Sequence, residues 1–448
     1  MRKRWGLLSS IMVVLLLIVV GCSSGGNNSS SEPAEDNGDG GTDSVEEITL
    51  RFVHWINEDS GKWEPLISQY EEQNPGVTIE SMPLVENMNS QDYYQQLDLM
   101  AAAGEYLDII MFSNLNDYVA RINAGLLEPL TPFLDAEGID INEEYVNSYA
   151  EIDGDYYGVP MKQVTNMILM NKNHLDEAGL EIPEQWTWDE YREFAKQLTT
   201  DDRHGSYLHI WHDMHSLLKF PGKPEGANRL LKSDGTSNAD DPLVRESLEL
   251  RYALENEDET SVPLSSILSQ QMDYRQQFFT EAVSMLPIGS FMLSEWGQFT
   301  PEFEIAWAPW PQNGETDKNY TGVGGDALSI AKSSEHKQEA YDFIRWLTTE
   351  GIMEQKIWVP SWRNADLTTA VENIASNTSN PEALHIESIV HTLQSSEPIE
   401  IYAPASYITE VHTDFATEVE RYLLGNQDID TAIENVQARV QNIVESNQ

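Results

Sequence analysis

One cysteine, Cys22, stands among 448 residues. That excludes an intrachain disulfide, a cysteine-based metal cluster, a Cys-x-x-Cys redox pair and, beyond Cys22 itself, a cysteine nucleophile. Cations are also scarce: 26 Lys+Arg face 75 Asp+Glu, for a formal net charge of −49. A field of that sign repels nucleic acid and other anionic polymers and slows the capture of anionic ligands. By elimination the ligand is neutral or, less readily, cationic. No run of residues after Val20 is apolar enough to span a bilayer. Gly-x-Ser-x-Gly, a phosphate loop and a zinc-protease helix are all missing. Acidic pairs are too plentiful for any one of them to be singled out as a glycosidase pair. A turnover enzyme is therefore not expected, nor is a cofactor.

What is present begins at the N-terminus. Arg2, Lys3 and Arg4 precede an apolar run from Leu7 to Val20, which reads as a signal peptide over residues 1–21. Val19-Val20-Gly21-Cys22 resembles a bacterial lipoprotein processing box, so Cys22 is expected to carry a lipid. Two long acyl chains, at about 0.8 kcal/mol per buried CH₂, would anchor the protein firmly. Loss of three positive charges with the signal would take the net charge from −49 to −52. Residues 22–47 are rich in Ser, Gly, Asn, Asp and Glu, a composition that suits a flexible spacer and not a packed core. The expected location is the extracellular face of the membrane, held there by the lipid alone. Acidic residues are dispersed over the body, which suits solubility at high salt or high pH better than a binding face.

About 400 residues remain, too many for one core and enough for two. Ile48 to Trp55 reads as a β-strand, and Trp63 to Gln73 has helical spacing. Asn74-Pro75-Gly76 stops that helix, and Val77 to Met82 resumes as a strand. Ser90 to Ala103 reads as a helix and Leu107 to Phe112 as a strand. Further strands are expected at Tyr156 to Pro160, Val164 to Met170, Ala282 to Leu286 and Ala327 to Ala331. Glu335 to Thr348 and the last fifty residues read as helical. This alternation predicts an α/β protein with a largely parallel sheet, whose ligands gather beyond the carboxyl ends of its strands.

The order of phrases resembles that of family 1 extracellular solute-binding proteins, the sugar-capturing lipoproteins of ABC importers that include maltose-binding protein. Trp55-Ile56-Asn57, Asn74-Pro75-Gly76-Val77, Leu107-Asp108-Ile109-Ile110 and Gly125 to Leu130 carry the likeness first. Asn171-Lys172 follows, with Met170 where the family commonly has Tyr; then come Ala178-Gly179-Leu180, Trp186-Thr187-Trp188, Met285 to Ser290 and Gly324 to Ile330. The resemblance implies a two-lobed periplasmic-binding-protein-like fold of type II, with discontinuous lobes joined by a hinge. Lobe 1 would take 48–161 plus 323–360, and lobe 2 would take 162–322 plus 361–448. It further implies a monomer that captures a neutral sugar and passes it to transmembrane permease subunits.

A neutral sugar offers hydroxyls and flat C–H faces, so its site needs polar side chains interleaved with aromatic rings. By the resemblance, Trp55, Asn57, Glu58 and Asp59 after the first strand are candidates, as are Phe112, Asn114 and Asp117 after the third. Asp108 is expected to brace structure instead. Trp211 and Asp213 would supply an aromatic and an acid from lobe 2. Their neighbours His209, His212 and His215 invite a metal reading, but the spacing is not that of a zinc helix and no metal is expected. Phe291 and Trp296 would give an aromatic platform, or else pack the core. Gly324, Gly325 and Asp326 would close the cleft, and Trp362 and Arg363 would reach it from a return loop or pack the hinge. A cationic or peptide ligand, and a surface sensor or adhesin role, stay open as alternatives.

Overall fold

The computed structural model describes residues 47–210, 218–219, 230–314, 316 and 318–447. Strands β1 (Ile48–His54), β2 (Val77–Pro83) and β3 (Ile109–Phe112) are joined by helices α1 (Trp63–Gln73) and α2 (Ser90–Ala103). Helix α1 forms because Trp63, Leu66, Ile67 and Tyr70 recur at helical spacing, and all four are buried. Asn89 caps α2, accepting from the amides of Gln91 and Asp92. Crossover helices of this kind make β1 parallel to both β2 and β3. Helix α3 (Leu115–Asn123) then leads away from β3.

Strand β4 (Gly158–Asn171) is the spine of the molecule. The two strands expected at 156–160 and 164–170 are one, because Lys162 and Gln163, which look like a polar break, are both buried within it. Its first half pairs with β9 (Val323–Ile330), and its second half lies between β6 (Val283–Gly289) and β7 (Ile305–Pro309). All three pairings are antiparallel, as is that of β9 with β3. The sheet is therefore mixed, not largely parallel, because β9 returns from the far end of the chain against the direction of β3. Helix α4 (Trp188–Leu198), opened by a Thr187–Glu190 capping box, and strand β5 (His204–Ser206) complete this side.

Further elements include α5 (Pro242–Tyr252), β8 (Asn319–Thr321), α6 (Lys337–Trp346), α7 (Leu367–Ser376), α8 (Ile386–Ser395), β10 (Ser396–Pro398), α9 (Ile408–Leu423) and α10 (Ile429–Asn447). Residues 399–407 are irregular, so the last fifty residues are helical only from Ile408. Hydrophobic packing divides along β4. Val159 and Met161 pack with β1, β3, α1 and α6, whereas Met167 and Leu169 pack with β6, β7, α7 and α8. The architecture is a two-lobed α/β fold, each lobe covering its part of the sheet with helices. No helix among the described residues is long and apolar enough to cross a membrane.

Candidate functional site

The carboxyl ends of β1 and β3 meet β4 and β9 at one place. Tyr149 ties it together: its hydroxyl donates to the Phe112 carbonyl at 2.8 Å and lies 2.9 Å from the Gly325 carbonyl. Gly325 has φ of 140°, and a Cβ there would lie 1.9 Å from the Lys162 carbonyl oxygen. Only glycine permits β9 to pass β4 so closely. The next side chain, Asp326, is 2 % exposed and lies 3.3 Å from the Lys162 ammonium. That contact gives charge attraction without an aligned hydrogen bond, since Asp326 Oδ2 has no hydrogen-bond partner among the described residues. Burial pushes the Asp326 carboxyl up, against the Lys162 ammonium, which lowers it, and with a smaller push from Glu295.

Lys162 Nζ also sits 5.3 Å from the ring centre of Trp55 and 4.7 Å from that of Trp358, two cation–π contacts at a nearly dry position. The Trp55 indole N–H is buried without a partner among the described residues. Beyond Lys162 on the same face of β4 come Val164, Phe291, Ser294 and Glu295. The face thus joins two indoles, a phenyl ring, one buried ion pair and an exposed carboxylate. It can stack a flat apolar face and hydrogen-bond hydroxyls.

The residues expected from sequence are distributed unevenly about this point. Trp55, Phe291 and Asp326 belong to it. Asn57 caps the one-turn helix Glu58–Gly61, accepting from the Ser60 amide and donating to the Glu86 carbonyl. Glu58 accepts from the Glu64 amide, and Asp59 is exposed. Asn114 caps α3 through the Asp117 amide and also donates to the Asp117 carboxylate. Asp117 in turn holds Arg121, so both polar groups are already engaged. Gly324 is exposed with open space around it.

Two rings are corrected by the structure. Phe112 is wholly buried, its ring centre 6.0 Å from that of Tyr94 and its edge on Tyr118; inward-facing residues at that end of β3 are core. Trp296 is buried likewise, its indole N–H donating to the Met292 carbonyl. Neither offers a surface to a ligand in this conformation. Trp362 and Arg363 lie on the other side of β4, described below. Trp211, Asp213, His212 and His215 lie outside the described residues, as does Cys22. His209 packs edge-on against Tyr274, and burial, with Arg251 adding, lowers its pKa to about 4. Among the described residues no three His, Cys, Asp or Glu side chains are grouped to hold a metal ion. Asp108 braces structure as expected, accepting from the Arg51 amide and the Ser334 hydroxyl.

The sequence profile of the bacterial extracellular solute-binding protein family matches residues 55–354, more than half of the chain. The chain belongs to this family. It is 24% identical over 325 residues to the multiple sugar-binding protein of Streptococcus mutans, covering 69% of this chain and 73% of that one. It is also 24% identical over 312 residues to an uncharacterised lipoprotein of Streptomyces antibioticus, covering 67% and 66% of the two chains. A sugar transporter from Rhizobium etli, solved in an open conformation, superposes with a TM-score of 0.72 at 21% identity, covering 88% of this chain and 99% of that one. At that identity the superposition shows the fold, which is the two-lobed one of this family. Solute-binding proteins bind and release; they are not enzymes.

In this solute-binding protein the residues that reading along the chain missed are Lys162, Trp358 and Glu295. Lys162 left a signal, the one cation in the strand Gly158–Asn171. A buried lysine requires a counter-charge, so a carboxylate partner could have been sought. Trp358 precedes Pro360 by two residues and was passed over for Trp362.

Proposed function

We propose that this chain is a lipid-anchored extracellular protein that captures a neutral sugar, an oligosaccharide, and delivers it to the permease of an ABC importer. The observation that carries the reading is the pair of indoles, Trp55 and Trp358, set around the Lys162–Asp326 ion pair where the chain passes between the two cores. Aromatic faces beside fixed polar groups suit a sugar ring. Because Asp326 offsets Lys162, and Glu58, Asp59 and Glu295 lie exposed nearby in the sequence or on the same face, an anionic solute is disfavoured. The names of the relatives point the same way, one as a sugar-binding protein and one as a lipoprotein.

In this reading lobe 1 is 48–161 with 323–360, and lobe 2 is 162–322 with 361–448. Sugar held by both lobes favours the closed form by its differential affinity. Cys22 carries the lipid, and residues 22–47 are the spacer. A thermal-shift screen of the protein against neutral oligosaccharides, monosaccharides, sugar acids and polyamines tests the reading. A neutral sugar should raise the melting temperature, and Trp55→Ala should abolish the rise while the unliganded protein still melts cooperatively. Stabilisation by polyamines alone would replace sugar with a cationic ligand.

A further inference from the structure

Successive side chains of a strand point to opposite faces. Lys162 and Val164 border the side of Phe291 and Trp358, Thr165 borders the other side, and Gln163 touches both; on that other side the structure has a second cavity of about 340 Å³. Gln163 is 6% and Thr165 2% exposed, and neither side chain has a hydrogen-bond partner among the described residues. Both line the cavity, so their amide and hydroxyl are available to hydrogen-bond a molecule seated there.

The rest of the lining is held in place. The Trp362 indole N–H donates to Glu144 at 2.8 Å, which fixes the ring. Arg363 Nε donates to the carbonyls of Asn142 and Tyr145. The carboxylates present are already engaged: Asp366 caps α7, and Glu397 pairs with Lys318 at 2.8 Å. Leu367, Leu393 and Pro398 supply apolar wall. A fixed indole, apolar walls, an amide and a hydroxyl suit a neutral, hydroxyl-bearing ring. The volume is at the low end of small-ligand sites, about 300–1,000 Å³, which favours one ring over a chain.

We propose that this cavity is a second binding site, for a single neutral pyranoside, on the face of β4 opposite the interlobe site. It touches β4, Val323 of β9 and the return segment at Pro360, the three chain passages between the two cores. A ligand seated there contacts the hinge itself. Its occupancy therefore shifts the balance of open and closed forms, and solute in the interlobe site changes its affinity reciprocally.

The test is calorimetric titration of the full chain with methyl α-D-glucopyranoside, in wild type, Trp55→Ala, Thr165→Val and Ala365→Trp. The hinge site predicts binding that survives Trp55→Ala. Loss of one hydrogen bond in Thr165→Val should weaken it about five- to tenfold. Ala365→Trp, which fills the cavity from its rim, should abolish it. Thr165→Val changes little in shape, so it decides the matter even if the tryptophan variant does not fold. Binding lost in Trp55→Ala and unchanged in Thr165→Val overturns the proposal, as does the absence of any binding heat. Should oligosaccharide binding prove indifferent to Trp55→Ala while Thr165→Val loses the glucoside, the interlobe reading fails and the hinge site stands.

Discussion

Replacing Lys162 with methionine is the most informative single change, because it separates what the ion pair does for the fold from what it does for the solute. Asp326 is 2% exposed and Lys162 is its only salt-bridge partner among the described residues. Removing the ammonium leaves a buried carboxylate without compensation, a loss of about 3–5 kcal/mol in comparable sites. That is a large share of a stability typically near 5–15 kcal/mol. The double variant Lys162→Met/Asp326→Leu replaces the pair with apolar groups of similar size and should return to within about 1 kcal/mol of wild type, or exceed it.

Acid supplies a second readout. Burial already raises the Asp326 carboxyl above its ordinary range, and loss of Lys162 removes the group that opposes this. A carboxyl whose folded pKa is raised penalises the folded state only when ionised. The penalty is complete above the folded pKa and vanishes as pH falls below the unfolded value, about 3.9. The deficit of Lys162→Met should therefore shrink on acidification, whereas that of Lys162→Met/Asp326→Leu should not change with pH by this route. Urea unfolding of the three proteins across acid pH measures both effects. A single variant no less stable than the double, with a deficit indifferent to pH, would refute the reasoning.

The other expectations are more local. Gly325→Ala places a Cβ 1.9 Å from the Lys162 carbonyl at a φ of 140° and should cost about 3 kcal/mol or more, whereas Gly324→Ala meets open space and should cost well under that; equal melting temperatures for the two would contradict the packing. Asn114→Ala removes the α3 cap and should lower stability by about 1 kcal/mol in denaturant unfolding; an unchanged midpoint would mean the cap is not formed in solution. Cys22→Ala should leave sugar affinity intact in the thermal-shift assay while cell fractionation finds the protein released to the medium. Retention at the membrane would show that another feature anchors it.

Much of the local structure was legible because it follows from short-range chemistry. The apolar spacing of Trp63, Leu66, Ile67 and Tyr70 marks α1, and Asn74-Pro75-Gly76 stops it where the structure does. Asp108 could be read as a brace because a carboxylate at the mouth of an apolar strand needs donors, which the Arg51 amide and Ser334 supply. The site was legible only in part. Trp55, Phe291 and Asp326 gather at one place, but Asn57 and Asn114 spend their acceptors on helix caps, and Phe112 and Trp296 went inward. Capping and ligand contact ask for the same residue types at the same loop positions, so composition does not separate them.

What the sequence determined by itself is several of the elements, the α/β class, the sign of the field and the residue types from which a site could be built. Tertiary structure decided the rest. It made 158–171 one strand, set β9 antiparallel to β3 and β4, and brought Asp326 to Lys162 from the far end of the chain. It also parted Trp362 and Arg363 from Trp55, although all lie where a chain passage meets the sheet. The reason is that a strand sends alternate residues to opposite faces, while the partner across each face comes from a segment remote in sequence. Periodicity can tell which residues share a face, but only the pairing of strands tells what that face meets.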